Sequence, residues 1–266
     1  MPPSFQPINE DHAVALCEFA IGIDGPLSSA AINHIASNHD LLRDRLPAVA
    51  VDAPDSAQAI VPTLQGTTKN GVTFATLRAD GSHVWSLNCA FNEIRASCTR
   101  YTRWQRSWDF ARELFTSVLP LIAEKQGDRK VGVAALYVVD QFIADDVDYK
   151  VEEILQRSKW ISEAAFSAGP VWHCNNGWFE PRPLGSCLQI LNVRVSRETG
   201  QLVLSVVHHQ QLRLTPGEYP DINDVDTVIK KIDRGMNDLH QRNKEIVTAL
   251  LAEPLARRVK LLGEKS

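Results

Sequence analysis

Two adjacent histidines, His208 and His209, are the residues whose type and spacing most strongly suggest chemistry in this chain. An imidazole can act as a general base or as a metal ligand near neutral pH. Both lie in the run Gln201–Leu214, which predicts a strand, and neighbouring side chains of a strand point to opposite faces. The two rings therefore cannot easily bind one metal ion together, and a structural role for both is the alternative to ligand binding.

Two further groupings could support hydrolysis. His173 and Cys174 could form a nucleophile–base pair, although strand neighbours diverge and no orienting partner is evident. Asp145, Asp146 and Asp148 would suit a hard cation, or would form a solvated turn. The sequence has no phosphate-binding glycine loop, dinucleotide fingerprint, serine elbow or zinc spacing. We therefore predict no catalytic residue, no metal site and no cofactor, with a His- or metal-dependent hydrolase as an alternative.

A ligand-binding site is predicted from four polar side chains, those of His208, His209, Tyr137 and Arg95. Small-molecule sites are mostly apolar and contain a few such groups that fix the orientation of the ligand. These residues would bind a small ligand if the strands that contain them formed a concave sheet face.

An interaction surface is predicted at an aromatic-rich segment, because large aromatic side chains are enriched at binding hot spots. The turn-forming residues of Asn175–Pro183 indicate a loop, and two arginines belong to a turn before a helix. The predicted interaction residues are Trp172, Trp178, Phe179, Arg103 and Arg106. The alternatives are that the three rings close the end of a sheet and that the arginines are solvated.

The elements that must position these residues are clearest in the stretch Val72–Ile122. Alternating apolar residues predict three strands in a meander, with Asp80-Gly81 as a hairpin turn. The strands are Val72–Arg78, His83–Phe91 and Ile94–Tyr101. A helix is predicted to start at Trp108, with an apolar stripe of Trp108, Ala111, Phe115, Val118 and Ile122. Pro120 is predicted to kink this helix or to end it early.

The remaining elements give the same order a second time. Strands are predicted at Ala13–Asp24, Lys130–Ala144, Cys187–Ser196 and Gln201–Leu214, and extended chain at Trp160–Cys174. Helices are predicted at Leu27–Leu46, at Tyr149–Lys159 and from Asn223 to about Pro254. The order strand, helix, three strands, helix thus occurs in residues 1–126 and again in 127–266. We predict an α+β fold of two similar halves, with antiparallel sheets covered by helices.

Composition limits the functional classes. The net charge of −4 over 266 residues argues against a nucleic-acid binder with a broad basic surface, although it leaves a local basic patch possible. No apolar run approaches the length of a membrane helix, and the first seven residues do not resemble a signal peptide. Five cysteines without metal-binding spacing predict a reduced protein of the cytoplasm.

Several short segments together suggest a family. They are Val14–Phe19, Tyr101 with Trp108 and Phe110, Val131–Val133 with Tyr137, and Asp233 with His240 and Ile246. Through these segments the chain resembles a sporadically distributed group of bacterial proteins of similar length with no established activity. Their Arg-Tyr-x-Asn continuation is replaced here by Ala134–Asp140, so the polar role of those family residues is not expected. The patchy distribution of the group implies a toxin–antitoxin or phage-defence setting.

We predict a non-catalytic binding or interaction protein, antitoxin-like or accessory to a bacterial defence system. Its partner would be another protein or a second copy of the chain. A small-ligand sensor that uses a concave sheet face is the first alternative, and the hydrolase is the second.

Overall fold

The computed structural model describes residues 5–10, 12–52, 71–145 and 148–261. The strands are β1 (Gln6–Pro7), β2 (Val14–Ile23), β3 (Ala48–Asp52), β4 (Gly71–Leu77), β5 (His83–Ala90), β6 (Glu93–Cys98), β7 (Val131–Asp145), β8 (Trp172–Arg182), β9 (Gly185–Glu198) and β10 (Gln201–Leu214). The helices are α1 (Ser29–Ser37), α2 (Trp104–Gln126), α3 (Glu163–Phe166), α4 (Val225–Leu250) and α5 (Glu253–Arg258). The predicted α+β class is confirmed.

The strands form an antiparallel sheet in the order β3-β4-β5-β6-β2-β7-β10-β9-β8, and β1 pairs with β7. The predicted meander is confirmed, with Phe74 opposite Leu87 and Leu87 opposite Ala96. The predicted hairpin of β9 and β10 is also confirmed. Thr199 and Gly200 join these two strands, both with positive φ, as a tight hairpin turn requires.

The chain divides into two compact units that do not follow chain order. Unit A contains the described residues up to Cys17, together with Leu136–Leu212 and those from Met236 onwards. Unit B contains Glu18–Ala135 and Arg213–Gly235.

Helix α2 provides much of the core of unit B. The predicted stripe is confirmed, because Trp108, Phe115 and the other stripe residues are fully buried. The Trp108 indole donates to Asp233 Oδ1 at 2.7 Å. The helix begins at Trp104, and it continues past Pro120 to Gln126, so the predicted early end is wrong. Burial of leucines on both sides of this proline offsets the hydrogen bond that the ring removes.

The core of unit A lies between one side of the sheet and the helices. Alternate residues of β7, β9 and β10, among them Phe142, Leu191 and Leu204, pack with α4, α5 and the segment that contains α3. The residues between them belong to the opposite side of the sheet. We call the two sides the helix side and the outer side.

Several predicted elements outside the long strands are wrong. The helix predicted at Leu27–Leu46 ends at Ser37, and the helix predicted at Tyr149–Lys159 is one 3-10 turn. The segment Trp160–Cys174 contains α3, and the predicted loop Asn175–Pro183 belongs mainly to β8. Turn-forming residues are tolerated in β8 because it is an edge strand, where proline and asparagine do little harm. In the described part of the chain, no helix is long and apolar enough to cross a membrane.

Candidate functional site

His208 lies on the helix side of β10, and its side chain is only about 1% exposed. Its Nδ1 lies 2.8 Å from Asn243 Oδ1 and its Nε2 lies 2.8 Å from Gln189 Oε1. The Gln189 amide in turn donates to Glu180 Oε1 at 2.9 Å. Burial lowers the pKa of His208 to about 4, so the ring is neutral at pH 7. A neutral ring has a single N–H, so it donates to one of these two amide oxygens at a time, Gln189 Oε1 or Asn243 Oδ1.

The chain of hydrogen bonds ends in two ion pairs between β8 and α4. Arg242 donates to both oxygens of Glu180 at 2.9 and 2.7 Å, and Arg182 donates to both oxygens of Asp238 at 2.8 and 2.5 Å. Burial acts to raise the pKa of Glu180, but the hydrogen bonds and charge of Arg242, together with Trp178 and Arg182, outweigh it, and the net shift of the pKa is downwards. These charges are paired with each other, so this polar cluster fixes α4 on the sheet.

His209 and Tyr137 lie on the outer side of unit A. Their rings meet edge to face, with centroids 5.9 Å apart. Gln141 lies four residues after Tyr137, and Ser205 lies four residues before His209. The Gln141 amide donates to Ser205 Oγ at 3.5 Å. Two of the four predicted ligand-binding residues are thus brought together, while His208 lies on the other side of the sheet, as the alternation along β10 requires.

An apolar surface surrounds this ring pair. The two-residue turn between β9 and β10 places His209 opposite Ile190 and Val207 opposite Asn192. The half-buried apolar residues on neighbouring strands here, which we call the outer patch, are Tyr137, Val139, Leu188, Ile190 and Val207. The core that the helices of unit A form with the sheet lies on the other side, and none of these five residues belongs to it.

The predicted interaction residues do not form one surface. Trp172 and Trp178 lie on the helix side of β8, where Trp172 donates to the Tyr149 hydroxyl and Trp178 stacks on Trp160 at 4.4 Å. Phe179 points to the outer side and is 67% exposed. The two-residue period of β8 separates these rings, an effect that a loop prediction could not show.

The predicted arginines all lie in unit B. Arg95 is half-buried and pairs with Glu93 and with Glu18 at 3.4 Å, so its charge is compensated within the sheet. Arg103 caps the start of α2 and Arg106 lies in its first turn, and both are exposed.

The groups of the hydrolase alternative do not converge. His173 and His209 lie on strands separated by β9, and the strand spacing and rise put them roughly 17 Å apart. Asp145 is exposed at the end of β7, and Asp146 lies outside the described residues. Over the described ranges no three His, Cys, Asp or Glu residues are close enough to hold a metal ion.

One buried titratable residue, Asp140, has no counterpart among the predicted sites. It lies on the helix side of β7 and is 8% exposed. No hydrogen bond or ion pair from another described residue reaches its carboxyl group. Burial raises its pKa to about 7. The sequence alone could have indicated a buried carboxyl group here, because Asp140 lies between the apolar residues Val138 and Phe142 on one face of the strand.

No known protein-family model, curated protein or solved structure matches this chain.

Proposed function

We propose that this chain is a non-catalytic binding protein that takes a protein partner on the outer patch. The observation that supports the proposal is a group of adjacent, half-buried apolar side chains on the side of the strands that faces away from the helix-side core of unit A. An antiparallel sheet with one face in water ordinarily alternates apolar and polar residues, with the polar ones outside. Contiguous apolar surface on a folded protein is typical of an interaction site.

The polar cluster on the helix side makes this surface rigid. The hydrogen-bond chain through Gln189 and His208 joins β9 and β10 to α4, directly behind the strands of the patch. The ion pairs of Glu180 and Arg182 join β8 to the same helix. A preformed surface loses little conformational entropy on binding, so even a small apolar patch can bind with useful affinity.

A photo-crosslinking amino acid at position 207 tests the proposal in the native host. Val84 provides the matched control, because it is a half-buried valine on the outer face of β5 in unit B. We expect a discrete adduct from position 207 and none from position 84. The partner identified in this way is then purified, and its affinity is measured for wild type, Val207→Lys and Val84→Lys by titration calorimetry.

Val207→Lys should weaken binding by about tenfold or more, because a desolvated ammonium group would face the partner. Val84→Lys should bind like wild type, and circular dichroism checks that both variants fold. Equal affinity of the two variants, or no adduct specific to position 207, would refute the proposal.

A small-ligand sensor is the second candidate function, and it is supported by the ring pair of Tyr137 and His209 beside the outer patch. Small-molecule sites typically contain a few polar groups within an apolar lining, and those groups orient the ligand. Native mass spectrometry of the protein from its host would then show a small retained mass. That mass should be lost in a Tyr137→Phe, His209→Gln variant, and its persistence there would exclude this site.

The order of the strands supports the proposed internal duplication. From one direction the sheet reads β4-β5-β6-β2 and from the other β8-β9-β10-β7. In both cases the last strand of a meander pairs with the strand that begins its half of the sequence, and a long helix, α2 or α4, follows. We infer that residues 1–126 and 127–266 descend from one ancestral half.

The compartment and the biological process remain part of the same proposal. None of the five cysteines forms a disulfide, which fits the reducing bacterial cytoplasm. The antitoxin-like or defence-related setting is supported only by the family resemblance of the short segments, so identification of the crosslinked partner is its test.

A further inference from the structure

Strand β8 forms one end of the strand order, and among the described strands it pairs with β9 alone. It pairs with β9 from Trp172 opposite Val195 to Arg182 opposite Gly185. Two residues join these strands, and the residue pair that closes such a turn is hydrogen-bonded. Hydrogen-bonded pairs therefore recur at the even-numbered residues of β8. Its odd-numbered residues direct their N–H and C=O groups away from β9.

The outward backbone groups belong to His173, Asn175, Gly177 and Phe179, since Pro181 has no N–H. In the part of the chain that the structure describes, no hydrogen bond reaches these groups from another element. A row of unpaired donors and acceptors is a template for a further strand, and proteins usually protect it with charges or bulges.

Protection of this edge is limited to one end. None of the four outward residues has a permanently charged side chain, and Pro181 blocks only the end next to the turn. Phe179 is 67% exposed and Val171, directly before the strand, is 52% exposed. The edge therefore combines free backbone groups with exposed apolar side chains, which is the composition of a surface that pairs.

We propose that β8 pairs antiparallel with β8 of a second copy of this chain. Identical strands paired in this way are related by a two-fold axis. Excluding Pro181 leaves residues 173 to 179, so the axis passes through Asn176. Phe179 then lies beside the partner's His173, and Asn175 lies beside the partner's Gly177.

The chemistry of the strand favours its own copy over a charged partner strand. The outward side chains bring no like charges together, because Glu180 and Arg182 are turned to the helix side and are already paired. Gly177 leaves room beside the partner's Asn175. At the axis, the Asn176 amide donates to the Trp160 carbonyl oxygen of its own chain at 2.5 Å, so the two Asn176 side chains bring no unpaired donor together.

Sedimentation equilibrium across the micromolar range tests the pairing. We expect wild type to form a dimer. Asn175→Pro removes one outward N–H and should weaken dimerisation by about tenfold or more. Asn175→Thr keeps that N–H and the strand preference, so it should dimerise like wild type. A monomeric wild type, or equal dimerisation of the two variants, would overturn the proposal.

Disulfide trapping gives an independent readout if Asn175→Pro fails to fold. In a Cys174→Ser background, Asn176→Cys should form a covalent dimer under mild oxidation, because the two thiols meet at the axis. Gly177→Cys, one residue off the axis, should crosslink much more slowly. Absence of the covalent dimer from Asn176→Cys would overturn the pairing. Val207→Lys lies outside β8 and should still dimerise, so failure of the proposed partner site and failure of the dimer are distinguishable.

Discussion

Replacement of Asp140 by asparagine should stabilise this protein above neutral pH. The carboxyl group is buried on the helix side of β7, and burial raises its pKa from 3.8 to about 7. The folded state therefore binds a proton that the unfolded state has already released between these two pH values. Stability from this residue is fully present below pH 3.8 and is lost as the pH rises towards 7.

The magnitude follows from the shift of the pKa. The rise of the pKa from 3.8 to about 7 corresponds to roughly 4 kcal/mol of lost stability once the pH is above the folded-state value. Asparagine is uncharged and of similar size, but it must bury an amide in the same apolar surroundings. We therefore expect Asp140→Asn to gain roughly 3 kcal/mol at pH 8 and almost nothing at pH 3.5.

Two histidines give the free energy of unfolding the opposite dependence on pH over a similar pH range. Burial lowers the pKa of His208 and of His240 from 6.5 to about 4. Their neutral forms stabilise the fold above pH 6.5, and this contribution is lost as the pH falls towards 4. In wild type the loss from Asp140 partly cancels the gain from the histidines. Asp140→Asn should therefore show a steeper rise in stability between pH 4 and 6.5.

Urea unfolding of wild type and Asp140→Asn, followed by tryptophan fluorescence at several pH values, measures both effects. A gain of roughly 3 kcal/mol should move the midpoint at pH 8 by about 1 M urea. Asp145→Asn is the control, because Asp145 is exposed at the end of the same strand. Parallel pH profiles for wild type and Asp140→Asn, or a less stable Asp140→Asn at pH 8, would refute the reasoning.

Two further predictions concern packing and thiol reactivity. Gly22→Ala would place a Cβ atom 2.8 Å from Val133 Cβ, so we expect a loss of about 1–3 kcal/mol in urea unfolding. In a Val133→Gly background, which has no Cβ at that position, Gly22→Ala should cost much less, and an equal cost in both backgrounds would argue against the close contact. Burial raises the pKa of Cys89 and of Cys187 to about 12, whereas Cys174 is half-exposed. A thiol reagent at pH 8 should label Cys174 in the folded protein long before the two buried thiols, and equal rates at the three sites would contradict this burial pattern.

Local signals in the sequence were sufficient for the long elements of this fold. Strict alternation around Trp85 and Leu87 and the Asp80-Gly81 turn predicted the meander, because these patterns depend only on neighbouring residues. The stripe of α2 was predicted in the same way from its spacing. The separation of His208 and His209 onto opposite sides of β10 also followed from the two-residue period of a strand.

Pairing between distant segments decided what the sequence left open. The segment that contains Trp178 and Phe179 is rich in turn residues, yet it is a strand because the alternating apolar residues of β9 provide a partner along its whole length. Tyr137 and His209 are far apart in the sequence and meet only because β7 and β10 are neighbours.

The sequence by itself determined the α+β class, the meander and the long helices, since these are set by local periodicity. Only the tertiary structure decided which face each strand exposes, that Asp140 is buried with no ion pair from another described residue, and that β8 ends the strand order. Those properties depend on packing between segments distant in the chain, and no local pattern of residues specifies that packing.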